Sequence, residues 1–189
     1  MHPQTTPHPD TSLTSTTADN VMALRDIGFD APTALLARYD LHLQHVALGE
    51  PIPGSFWGDT EAGIIGSTVY ARDDTPVHSL LHEAGHLIVL PAEKRAAVHT
   101  DATDSIEEED ATCYLQITLA DQLPGVGRAR IMADMDAWGY SFRLGSTRAW
   151  FESDAAEARA FLQAHGLLGA DGSTVLTPRE AKPIVVSAP

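Results

Sequence analysis

The chain of 189 residues predicts a helix-rich α+β domain with a small β-sheet packed beside one histidine-bearing helix. Three observations predict it. Apolar residues recur at helical spacing over most of the chain. Between Glu50 and Asp74 that periodicity gives way to Gly, Pro and β-formers. Directly after that stretch, HSLLHEAGHLIVL at residues 78–90 carries two histidines four apart, with a glutamate after the first.

A chain of this length buries a core without staples, and a hydrophobic content of 43% is that of an ordinary globular protein. The formal net charge of −14 disfavours nucleic acid and membrane partners, whose phosphates it repels. No apolar run reaches the ~18 residues that span a bilayer. The N-terminus lacks the basic and apolar regions of a secretory signal. A single cysteine, Cys113, makes no internal disulfide, so a cytoplasmic location is expected.

Residues 1–18 are mostly Thr, Pro, Ser, His and Asp and read as a disordered tail, leaving 19–189 as a single domain. A first helix is expected from Ala18 to a stop at Gly28. A second, capped by Asp30 with Pro32 in its first turn, is expected to carry Leu35, Leu36, Tyr39, Leu43 and Val46 on one face and to end at Gly49. On that reading His42 and His45 line its polar side. Ile64, Ile65, Thr68, Val69 and Tyr70 then predict strands, with STVYAR leading into the histidine helix. That helix is expected to be capped at Asp74 or Thr75 and to stop before Pro91. Further helices are predicted over about 105–122, in GRARIMADMDAWGYSF, and from Ser153 to His165, with a small hairpin around Asp171-Gly172.

Residues i and i+4 lie one turn apart on one helical face, so His82 and His86 can converge on a metal ion. Glu83 is turned by ~100° from His82. It is poorly placed as a ligand but well placed to reach a water on the open side of an ion, as a general base does. His78, one turn earlier, diverges too far to join the same ion. The small Ala84-Gly85 pair lets a neighbouring backbone approach, and a strand before the helix offers an edge to an extended peptide.

Tetrahedral zinc needs a third protein ligand, and Glu107, Glu108, Glu109 and Asp110 open the next helix. Ala111, Thr112, Leu115 and Leu119 mark the face continuous with Glu108, which makes Glu108 the expected ligand, with Glu109 and Glu107 as alternatives. Ser105 and Glu108 also form a capping-box pattern that needs no metal. For the oxyanion donor that peptide hydrolysis requires, Tyr140, His165, Arg143 and His99 are the polar candidates. Trp57, Trp138, Trp150 and Cys113 are expected in the core.

HEAGH followed by E-x-x-A-x-x-Y at Glu108, Ala111 and Tyr114 resembles the gluzincin zinc peptidases, most closely the ImmA/IrrE-like peptidases. The likeness covers about residues 60–123. It departs at Thr112, where those families carry Asn or Asp, and at Leu115, where they carry Ala. The resemblance implies a zincin-type fold, Zn2+ as cofactor with His82, His86 and Glu108 as ligands, Glu83 as catalytic base, and a peptide or protein substrate. The other reading is a zincin-like binding or regulatory module whose metal is structural or absent, which the lack of an obvious oxyanion donor favours.

Overall fold

The computed structural model describes residues 20–56, 58–102 and 105–179. The expected tail and Trp57 fall outside them. The architecture is α+β. Helices α1 (Leu24–Ile27) and α2 (Asp30–Ala37) lead to strand β1 (His42–His45), followed by β2 (Gly63–Ile65) and β3 (Thr68–Ala71). Helix α3 (Val77–Val89) carries the histidine motif, and α4 (Ile106–Leu119), α5 (Gly127–Trp138), α6 (Thr147–Ser153) and α7 (Ala156–Ala164) follow. Among the described residues no helix is long and apolar enough to cross a membrane.

The sheet has the order β1-β3-β2, with β1 parallel and β2 antiparallel to β3. It packs on α3 through β2 and β3. The outer edge of β2 is already taken, because Ile64 N donates to Gly54 O and Thr100 N donates to Ile64 O. Gly54 is required there: at φ +70° a Cβ would lie 2.4 Å from the Ile64 carbonyl oxygen. The strand expected to offer an edge to a peptide, β3, is central and paired on both sides, and the segment through Thr100 borders the sheet beyond β2.

Two expected helices are shorter than their periodicity suggests. The second ends at Ala37, and Asp40 takes the left-handed conformation at φ +57°, which aspartate tolerates better than most residues. Its expected second half, with His42 and His45, is strand β1. The pairing of Leu43 with Val69, and the bonds from His42 N to Ser67 O and Val46 N to Ala71 O, outweigh the local helical pattern. The first helix is reduced to four residues. Its expected beginning runs alongside residues 73–77, with Leu24 N donating to Thr75 O and Val77 N to Met22 O.

That pairing fixes the entry to α3. Neither Asp74 nor Thr75 caps the helix: Thr75 Oγ1 accepts from Arg72 N, and Pro76 occupies the cap position without a side-chain bond. The Met22 carbonyl takes the first helical N–H instead. At the other end Arg95, buried to 1% exposure, donates from Nε to Leu87 O at 2.7 Å and from one terminal nitrogen to Tyr39 O at 2.8 Å. Arg179 donates to Val89 O. Guanidinium groups thus satisfy carbonyls that the last helical turn leaves open.

Helix α4 is the centre of the helical layer. Every residue from Ala111 to Leu119 is buried, and α3, α5 and α7 surround it. Ser105 caps it as expected, accepting from Glu108 N at 3.2 Å. Near the C-terminus the helix expected from Ser153 to His165 is α7, and a further helix that was not expected, α6, precedes it, capped by Ser146, whose Oγ accepts from Ala149 N. The Gly145-Ser146 pair was the start signal. The expected hairpin at Asp171-Gly172 reduces to a tight turn with a single Leu168–Thr174 bridge.

Helices α3 and α4 approach closely at Gly85, where an added Cβ would lie 3.0 Å from Thr112 Cγ2. Gly85→Val should press the two helices apart and destabilise the fold by about 1–3 kcal/mol, the usual cost of overpacking. Urea unfolding measures it. A variant as stable as the parent would mean that the helices have slack at this point.

Candidate metal centre

The contact between α3 and α4 places four polar side chains of α4 along one face. Glu109, Thr112, Cys113 and Gln116 stand at i, i+3, i+4 and i+7. Thr112 meets Gly85, so the two on either side of it, Glu109 and Gln116, are carried to the histidines.

Gln116 is fully buried and its amide is fixed from both ends. Nε2 donates to His78 O at 3.0 Å, which turns Oε1 toward His82 Nδ1 at 3.1 Å. An amide oxygen only accepts, so His82 carries its proton on Nδ1 and its Nε2 presents a lone pair. That nitrogen lies 3.1 Å from His86 Nε2. The Glu109 carboxylate faces both, with Oε1 3.4 Å from His82 Nε2 and Oε2 3.5 Å from His86 Nε2.

A tetrahedral ion with bonds of about 2.0–2.1 Å to nitrogen and oxygen has donor–donor edges of about 3.3 Å. The imidazole pair at 3.1 Å is close to that edge, and the Glu109 carboxylate turns Oε1 to one ring and Oε2 to the other, so these residues could hold an ion between them. Cys113 stands at the border of the cluster. Its Sγ lies 3.9 Å from Glu109 Oε1, and His82, Glu109 and Cys113 together also offer a donor set within 4.8 Å. Burial, then the charges of Glu109 and Asp110, push the thiol well above its ordinary range. The thiol leans on Glu109 Oε1, which leaves Cys113 a further candidate donor beside the carboxylate.

The structure therefore brings Glu109, and not the expected Glu108, to the histidine pair. One residue along a helix is a rotation of ~100°, enough to turn Glu108 off the face. Its backbone N–H belongs to the Ser105 cap, and its carboxylate acts on Arg179. Cys113, expected as an inert core thiol, borders the site. Gln116 escaped the sequence reading although it lies seven residues after Glu109, on the same face of an otherwise apolar run.

Beside the cluster opens a cavity of about 490 Å³. His78, His82, Glu83, Trp138 and Tyr140 line it, and Thr100, Asp101 and Ala102 contribute to its wall. Glu83 lies where expected, on the cavity side of α3. Burial, and then the carboxylates of Glu61, Glu109 and Asp101, raise it to about 8. Burial pushes His86 down to about 3, with His82 adding to it. His82 is lowered by burial against the opposing pull of Glu109 and Gln116. Both imidazoles are thus neutral near pH 7, the form that binds metals.

Of the four candidate oxyanion donors only Tyr140 lines the cavity. Its ring meets His82 edge-on at 5.8 Å between centroids, and burial holds the phenol protonated well above its usual range. Arg143 pairs with Asp154 on the surface, His165 donates to Phe161 O at the end of α7, and His99 is exposed beside Thr100. Trp138, expected in the core, is half-buried in the cavity wall, whereas Trp150 is buried as expected. His42 and His45 lie exposed on β1, where His45 Nε2 is 3.4 Å from Asp73.

No protein-family model, curated protein or solved structure matches the chain.

His78 gives the site a pH signature. It is 1% exposed with neither ring nitrogen hydrogen-bonded, and burial, with His82 adding, lowers it to about 3. The unfolded chain binds this proton below its ordinary value near 6.5, and the folded chain does not. Stability should therefore fall as pH drops from about 6.5 toward 3. His78→Leu should reduce the slope of the urea midpoint across that window, the rest coming from His82 and His86, and an unchanged slope would show that His78 titrates normally in the fold.

Proposed function

We propose that this chain is a zinc-dependent hydrolase that cleaves peptide bonds, with His82, His86 and Glu109 as the metal ligands and Glu83 as the general base. The observation that carries the reading is the convergence of two imidazole nitrogens 3.1 Å apart with the Glu109 carboxylate, one of whose oxygens lies 3.4 Å from His82 and the other 3.5 Å from His86, with Gln116 fixing which nitrogen of His82 faces the others. The resemblance of HEAGH and the following acidic helix to gluzincin peptidases, and to their zincin-type fold, supports it. Counted from Glu109, the second motif meets Thr112 and Leu115 in place of Ala and Tyr, so the support comes from HEAGH and the acidic helix that follows it.

Zinc, when bound, supplies Lewis acidity that polarises a carbonyl and makes water acidic near neutral pH. The rest belongs to the chain. Glu83 accepts a proton from the attacking water as its oxygen bonds to the carbonyl carbon. It returns that proton to the amide nitrogen as the C–N bond breaks. Tyr140 offers a neutral phenol O–H to the oxygen that becomes negative, the donor that the sequence alone did not single out. Gln116 holds His82 in one tautomer throughout.

The second reading is a binding module without turnover. It draws on the same 3.1 Å contact, since two imidazoles and a carboxylate also form a hydrogen-bonded cluster without a metal.

Metal content and turnover separate these readings. The parent should bind one zinc per chain. Glu109→Ala should weaken zinc by more than the ~10–100-fold typical of losing a residue that merely supports a ligand, while Glu108→Ala should leave it unchanged. Glu83→Gln should keep zinc and lose about 10²–10⁴-fold in hydrolysis of a fluorogenic peptide library. Zinc retained by Glu109→Ala would overturn the ligand set. A zinc-loaded parent that cleaves nothing in the library would favour the binding module.

A further inference from the structure

The cavity is built from carboxylates, imidazoles and aromatic rings, with no lysine or arginine among its described lining residues. Four acidic side chains act on one another there: Glu61, Glu83, Glu109 and Asp101. No lysine or arginine lines it, and among the described residues none pairs with Glu61 or Glu83. Carboxylates crowded into a confined space, where the dielectric response is weaker than in water, favour a cation among them.

Glu61 is the member with no part in the proposed chemistry, yet it is held in place. Its Oε1 accepts from Trp138 Nε1 at 3.0 Å, and the next residue is tied to α3 by Ala62 N donating to Ser79 Oγ at 3.0 Å. Two anchors on different helices fix a half-buried carboxylate against the cost of burying its charge, and burial accordingly raises its pKa. Around it stand the rings of Phe56, Trp138 and Tyr140, whose faces attract cations.

A second, independent observation points to a ligand. His78 lines the same cavity, is 1% exposed, and both its ring nitrogens lack a hydrogen-bond partner. A buried imidazole left so is costly unless something that enters the cavity supplies a donor or an acceptor. Peptide backbone supplies both.

Resting on the peptidase reading, we propose that this cavity selects substrates by a cationic group, the ammonium or guanidinium of a lysine or arginine side chain, which Glu61 receives against the Trp138 ring. Aromatic and carboxylate surfaces together suit a long basic side chain, whose stem packs on the rings while its head meets the charge.

Binding tests this without relying on turnover. Zinc-free full-length protein would be titrated by calorimetry with N-acetylated, C-amidated pentapeptides whose central residue is Lys, Arg, norleucine or Glu. A second set with a free N-terminus and no basic side chain separates an α-amino group from a side-chain cation. The Lys and Arg peptides should bind at least about tenfold more tightly than the norleucine peptide, as a charged hydrogen bond in a partly desolvated site implies. The Glu peptide should bind least. Glu61→Gln should reduce the preference to within about twofold while zinc affinity stays unchanged, and Trp138→Phe, which keeps a ring but removes the bond to Glu61, should reduce it in part. Equal affinity for Lys and norleucine, no binding of the Lys peptide at millimolar concentration, a preference that survives Glu61→Gln, or selectivity only for the free N-terminus would each overturn the proposal. Cleavage without charge preference would sink this inference alone. Charge-selective binding without cleavage would sink the hydrolase reading alone.

Discussion

The close approach of α3 and α4 at Gly85 and Thr112 is the constraint on which the site depends. With no side chain on Gly85, a threonine of the neighbouring helix sits against the backbone of α3, and nothing larger fits between. Side chains one turn to either side of that contact must then meet. Glu109 arrives between His82 and His86, and Gln116 arrives between His82 and the carbonyl of His78. Gln116 matters to both folding and chemistry. It satisfies buried polar groups of the two helices and, in doing so, dictates the protonation state of one imidazole.

The same contact explains why the cluster is electrostatically costly. Buried imidazoles resist protonation, and buried carboxylates resist ionisation, so His86 is driven down and Glu83 up. Within the folded chain these groups repel the charges they would carry in water. A divalent cation at the centre reverses the balance, because it attracts lone pairs and carboxylates alike. An arrangement unfavourable on its own and favourable around a cation is what a metal-dependent hydrolase requires, and this physical argument stands behind the proposed function.

Much of this was legible in the sequence. Two histidines at helical spacing, a glutamate between them and small residues at Ala84-Gly85 announced both the helix and its close neighbour, and Ser105 announced where that neighbour begins. The proposed third ligand was not legible to the residue. Four consecutive acids differ by a rotation of ~100° at each step, and the face of a helix buried on all sides from Ala111 to Leu119 is not marked by its apolar residues. The polar residues mark it better, since Glu109, Thr112 and Gln116 stand on one side. Tyr140 and Trp138 reach the cavity from the end of α5, a long-range placement that no local pattern encodes. Strand β1 was hidden for the same reason: its partner lies some twenty-six residues ahead, at Thr68–Ala71, and local periodicity favoured a helix.

The ligand set is the central claim, and Cys113 is the side chain that most directly challenges it. X-ray absorption at the zinc edge of the metal-loaded chain addresses both. The account expects a first shell of nitrogen and oxygen alone at about 2.0–2.1 Å, with the outer-shell scattering of two imidazole rings. A sulfur at about 2.3 Å, or the signature of a single ring, would contradict it.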